Sequence, residues 1–164
     1  MLHGYTYSDW MGSTMDWKST FEYCFSLGST MISWSNRNQG SIAQSTSEAE
    51  YIVASVASRE AVWLRKLLSD LYSVELEPTV IHCDNQSCIK RSESPMFHDR
   101  SKHIEMRYHY VQDMVQKNIL SIHYVPTTEQ TADIFTKPLS LRKFVYFRDN
   151  LGVVENASLV EREC

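Results

Sequence analysis

The sequence predicts an α/β domain: a mixed five-stranded sheet, antiparallel in its first three strands, flanked by helices. Three observations predict it. The first third is cut into short aromatic and β-branched runs by Gly-Ser pairs, the middle carries one long apolar stripe at helical spacing, and the remainder alternates brief extended runs with helical ones. The order β-β-β-α-β-α-α-β-α is a meander followed by strand–helix alternation, which covers a mixed sheet with helices.

Each element has its own signal. Leu2 to Ser8 reads as the first strand, ended by Gly12-Ser13. Phe21 to Leu27 is aromatic-rich and alternates imperfectly, Gly28-Ser29 makes a hairpin break, and Met31 to Trp34 resumes the apolar run. Ala49, Ile52, Val53, Val56, Val62, Trp63, Leu67, Leu68 and Leu71 form the stripe of a helix over Ser45–Tyr72, with a break expected near Ser58. Two capping boxes compete for its start, Ser45 with Glu48 and Ser47 with Glu50. After Pro78, Thr79 to Cys83 is a short strand stopped by Asp84-Asn85, and Gln86 to Ser92 suits a short helix. Lys102 to Lys117 is helical, Ile119 to Val125 alternates as a strand closed by Pro126, and Thr131 to Phe135 opens another helix. The domain is expected over residues 1–152, with 153–164 a frayed tail.

Composition bounds the class. At 164 residues and 43% hydrophobic content the chain suits one globular domain and excludes disorder. No run reaches the roughly 18 apolar residues of a membrane span, and the opening MLHGYTYSDW reads as neither a secretory nor a transit segment. Cys24, Cys83, Cys88 and Cys164 show no C-x-x-C pair, so a reducing compartment, cytoplasm or nucleus, is expected and a zinc site is not. Sixteen Lys+Arg against twenty Asp+Glu, a net charge of −4, argue against binding nucleic acid by bulk charge.

Four acids stand at element ends. Asp9 closes the first strand, Glu50 lies in the first turn of the long helix, Asp84 follows a buried strand, and Asp133 starts the last helical run. Strand ends and helix starts can converge on one edge of a sheet. Converging carboxylates repel unless a cation neutralises them, and hard oxygen ligands select Mg²⁺ or Mn²⁺. Two such ions can activate water and stabilise a leaving oxygen in phosphodiester cleavage. Taken singly, each acid suits a cap or an Asx turn better than a metal ligand, and Asp84-Asn85 is an ordinary N-cap sequence.

A resemblance raises the constellation above that reading. QSTSEAEYIVASVASREAVWLRKLL (44–68), IHCDNQSCI (81–89), PMFHDRSKHIEMRYHYVQD (95–113) and YVPTTEQTADIFTKPL (124–139) stand in the order found in the ribonuclease H domain of copia-type (Pseudoviridae) retrotransposon Pol polyproteins, which the chain resembles over most of its length. The resemblance implies a ribonuclease H-like fold and hydrolysis of the RNA strand of an RNA·DNA hybrid by two Mg²⁺ ions. It assigns the helix glutamate to Glu50, the strand-end aspartate to Asp84 and the last aspartate to Asp133. It also reads the chain as a fragment or domesticated copy of such an element.

The chain departs from the family at the first aspartate. The family pattern resembles G-Y-[ST]-D-x-D-W-x-G, and this chain has Gly4-Tyr5-Thr6-Tyr7-Ser8-Asp9-Trp10-Met11-Gly12. Tyr7 therefore stands where the metal-bridging aspartate is expected, and Asp9 matches the second one. A phenol is neutral at pH 7 and too bulky to bridge two cations. Asp9 shares a face with position 7 but lies about 6–7 Å further along a strand. Hydrolysis is expected to be weak or lost, with the two-ion site reduced to one. The alternatives are an active Mg²⁺-dependent enzyme using Asp9 as substitute ligand, and a non-catalytic module that binds a protein.

Charge distribution tempers the acidic total. Lys137, Arg142, Lys143 and Arg148 stand in an acid-free stretch, and Lys90, Arg91, Arg100, Lys102 and Arg107 cluster earlier. Either can follow a phosphate backbone or simply form a solvated face. Asn85, Gln86 and Ser87 are candidate donors to the hybrid minor groove, or turn caps. His98, His103 and His109 read as packing residues, His82 as structural, and Pro126 to Thr131 carries no histidine.

Overall fold

The computed structural model describes residues 1–10, 19–40, 42–43, 45–93, 102–135 and 137–153. Its elements are β1 (Leu2–Asp9), β2 (Thr20–Leu27), β3 (Thr30–Asn38), α1 (Thr46–Tyr72), β4 (Thr79–Cys83), α2 (Gln86–Glu93), α3 (Lys102–Gln116), β5 (Leu120–Tyr124) and α4 (Leu141–Asn150). Two 3-10 turns, Thr127–Glu129 and Thr131–Phe135, join β5 to α4. The five strands lie in the order β3-β2-β1-β4-β5. β1, β2 and β3 pair antiparallel, while β1, β4 and β5 run parallel. This is the mixed sheet expected from the element order. Among the described residues, no helix is long and apolar enough to cross a membrane.

Local chemistry explains where the elements begin and end. Ser45 wins the cap competition, its hydroxyl accepting from the Glu48 amide at 3.2 Å. No break occurs near Ser58: its hydroxyl donates to Ala54 O at 2.7 Å, so the side chain is satisfied inside the helix. β3 runs past Trp34 to Asn38 because it is an edge strand, where a polar run still pairs with β2 out to Thr20↔Asn38. Thr131–Phe135 does not open an α-helix; it is a single 3-10 turn, and α4 starts only after Pro138. The Gly12-Ser13 break lies outside the described residues, as does the tail from residue 154.

Packing differs on the two sheet faces. Val53, Ala57, Ala61, Leu64 and Leu68 of α1 pack on Leu2, Phe21, Tyr23, Phe25 and Ile81. The alanines bring the helix backbone close to the sheet, and Gly4 does the same within it: a Cβ there would lie 2.5 Å from the Phe25 ring. β2 is buried on both faces, which is why its alternation is imperfect in sequence. The turn at 131–135 lies against β1 and β2, and α4 packs on that turn.

Candidate metal and nucleic-acid site

Parallel pairing of β1 with β4 ends at Thr6↔Cys83, so Tyr7 and Asp84 follow as neighbours at the carboxyl ends of both strands. Antiparallel pairing of β1 with β2 puts Glu22 directly opposite Tyr7. Side chains opposite one another in a ladder share a face. Glu22, Tyr7 and Asp84 therefore form a row across three strands. Asp133, on the 3-10 turn, reaches the same row; its carboxylate is felt by Glu22, Tyr7 and Asp84.

Glu50 arrives from the first turns of α1. It is 4% exposed, and its Oε1 accepts from the Ser8 amide at 2.8 Å. The Cys83 thiol approaches its Oε2 at 3.9 Å. Burial, reinforced by Cys83 and Asp84, holds Glu50 well above the usual carboxylate range. Burial also raises Asp84, with Asp133 adding to it; the Thr127 hydroxyl, donating to Asp84 Oδ2 at 3.0 Å, opposes the rise. Ligand atoms of Glu50, Cys83 and Asp84 all lie within 4.8 Å of one another. Asp9 and Asp133 stand outside that group.

At the centre is an ammonium rather than a carboxylate. Lys137 Nζ lies 3.9 Å from the centroid of the Tyr7 ring and 3.0 Å from Asp133 Oδ1. A cation over an aromatic face is attracted by the ring quadrupole. Burial works against the lysine's charge, but Tyr7 and Asp133 outweigh it and lift its pKa. Burial raises the Tyr7 phenol in turn, with Lys137 pulling it down. Lys137, picked from the sequence as a phosphate contact, thus serves the acidic row. Gln130 fastens the turn that carries it, donating through Nε2 to Thr6 O at 2.8 Å. Asn36 on the edge strand donates to Phe135 O at 2.8 Å, holding the turn's far end.

Sequence reasoning missed Glu22. It is fully buried, and neither carboxylate oxygen has a hydrogen-bond partner among the described residues. Burial first, then the Asp133 and Asp9 charges, push it up to about 8, against the pull of Lys137. An acid inside an aromatic strand reads as the solvated side of an alternation. The available signal was that its face of β2 continues with Cys24 and Ser26, which are small and uncharged.

The remaining predicted residues lie around this centre. Asp9 is exposed at the end of β1, two residues past Tyr7 on the same face. Asn85 caps α2, its Oδ1 accepting from the Ser87 and Cys88 amides at 2.9 and 3.1 Å. Gln86, Ser87 and Lys90 are exposed on the same short helix. Lys102 begins α3, its side chain outside the description, and Arg100 and His98 lie outside the described residues altogether. His82 stacks on Tyr5 with centroids 4.7 Å apart, as a structural residue would.

Does this donor set suit a divalent ion? Glu50 and Asp84 do, since hard carboxylate oxygens close together match Mg²⁺ or Mn²⁺. Position 7 does not, because a phenol under an ammonium leaves no anionic bridge to a second ion.

No family model matches the chain. The retrovirus-related Pol polyproteins of transposons RE2 and RE1 of Arabidopsis thaliana are each 40% identical to it, over 94% and 93% of its length. That of transposon TNT 1-94 of Nicotiana tabacum is 36% identical over 95%. The chain spans only 10 to 12% of the length of these relatives. Among solved structures, the N-terminal RNase H domain of rv2228c from Mycobacterium tuberculosis superposes with a TM-score of 0.56 at 14% identity, covering 90% of this chain and 96% of that one. LC11-RNase H1 in complex with an RNA/DNA hybrid gives 0.56 at 10% identity, covering 79% and 88%. RNase H1 of Halobacterium salinarum gives 0.53 at 12%, covering 80% and 89%.

Proposed function

This chain is a homologue of one segment of copia-type retrotransposon Pol polyproteins with a ribonuclease H-like fold, and from that premise we propose that it binds RNA·DNA hybrids while two-metal hydrolysis of the RNA strand is impaired. The observation that carries the reading is Tyr7, lying in register between Glu22 and Asp84 with the Lys137 ammonium on its ring. Glu50 and Asp84 would hold one Mg²⁺ or Mn²⁺. Bound there, the ion would neutralise charge on the scissile phosphate. Ser8 and Thr127 orient the two carboxylates through their hydrogen bonds. Tyr7 would offer a second ion a neutral phenol in place of a carboxylate, and the Lys137 ammonium beside it cannot lower the pKa of an attacking water as a divalent ion would.

Hybrid contact falls to the exposed side of α2, where Gln86 and Ser87 follow closely on Asp84 and Lys90 lies one turn further along. Such contacts go to phosphates and 2′-hydroxyls, so no base sequence is selected. A labelled RNA·DNA hybrid tests both halves. Fluorescence anisotropy is expected to show binding that weakens linearly in log salt. Cleavage in Mg²⁺ is expected to be near background, and to rise by about a hundredfold or more in Tyr7→Asp. Mg²⁺-dependent cleavage by the unmodified protein, abolished by Asp9→Asn, would overturn the impaired-site reading in favour of Asp9 as ligand.

A further inference from the structure

Glu22 is a buried carboxylate with nothing to balance it. It is 0% exposed, both oxygens lack hydrogen-bond partners among the described residues, and Lys137, the cation that acts on it there, is bonded to Asp133 instead. Buried carboxylates are ordinarily paired or coordinate a cation, and an orphaned one calls for an explanation. Its position supplies one. Glu22 stands in the row beside Tyr7, on the opposite side from Asp84.

We propose that Glu22 replaces the carboxylate missing at position 7 and, with Asp133, forms a second divalent-cation site from which Lys137 is displaced when the ion enters. The inference rests on reading position 7 as the place of a lost ligand. Mg²⁺ and Mn²⁺ need only one or two protein carboxylates, the remaining positions staying hydrated. Lys137 can yield, since its side chain is 34% exposed; displaced toward solvent, it would leave Asp133 Oδ1 free for the ion. The site is distinct from the Glu50, Cys83 and Asp84 group, which contains neither residue.

Mn²⁺ titration of the full chain, read by the EPR signal of free Mn²⁺ with no nucleic acid present, tests this apart from any cleavage result. Two classes of site are expected. Glu22→Gln should weaken one by about tenfold or more, Asp84→Asn the other, and Lys137→Met should tighten the Glu22 site. Circular dichroism on each variant checks the fold. Should Glu22→Gln fail to fold, Glu22→Asp, which retracts the carboxylate by one methylene, should weaken the same class. Wild-type Mn²⁺ binding in Glu22→Gln, a single site removed by Asp84→Asn alone, or no binding in the wild type would each overturn the proposal. If Tyr7→Asp fails to restore cleavage while Glu22→Gln still weakens Mn²⁺, the hydrolysis reading falls and the Glu22 site stands.

Discussion

In metal-free buffer Glu22→Gln should stabilise the protein, and more so as pH rises. The group titrates near 4.5 in an unfolded chain and is pushed up to about 8 in the fold. A carboxyl whose folded pKa is raised contributes its stability below the unfolded value, where both states are protonated, and loses it as pH climbs to the folded value. Between those limits the loss runs at about 1.4 kcal/mol per pH unit, roughly 3 kcal/mol by pH 7 and 4–5 kcal/mol above pH 8. Glutamine keeps the shape of the neutral acid and does not titrate. Urea unfolding of both proteins with EDTA, from about pH 4.5 to about pH 8.5, measures the difference directly. The difference between the two, rather than either curve, isolates Glu22, since Glu50 is raised as well. A gap that stays constant across that range would refute the burial argument.

Two further outcomes follow, one beside the site and one at the opposite end of the sheet, where the β2–β3 hairpin turns. Gln130→Ala removes the buried bond to Thr6 O and should cost about 1–3 kcal/mol in urea unfolding, with Lys137 becoming more reactive to amine labelling as its turn loosens. Gly152 has φ +71, and a Cβ there would run into the Ser29 carbonyl; Gly152→Ala should therefore lower stability by at least about 1 kcal/mol, read as a drop in Tm.

Much of this architecture was legible from local signals. β4 was read to the residue because a β-branched run sits between Pro78 and Asp84-Asn85. The helical stripe was read through to Tyr72, and only its predicted break at Ser58 failed, because a serine hydroxyl can turn back onto its own helix. The site was half legible. Glu50, Asp84 and Asp133 were picked from motif and position, and pairing in register then placed Asp84 beside Tyr7. What could not be read depended on a contact across more than a hundred residues: the turn at 131–135 lies against β2, the strand in which Glu22 is buried, and Lys137 just beyond it sits over the Tyr7 ring. No window of sequence around residue 22 contains that covering segment. The same placement sets Lys137 beside the acidic row, which the sequence does not show.

Double coverage of β2 also bears on the order of folding. Strands β1 to β3 and α1 complete one layer within the first 72 residues, but Glu22 and Cys24 on the reverse side wait for a segment near the other end of the chain. During synthesis that side of the hairpin stays wet until Thr131 and beyond have left the ribosome. A charged residue on it would keep that open face of the half-built sheet from sticking to other chains, and would become a burden only when the last turn closes. Glu22 would then serve twice, first as a guard on an unfinished sheet and afterwards as an interior acid.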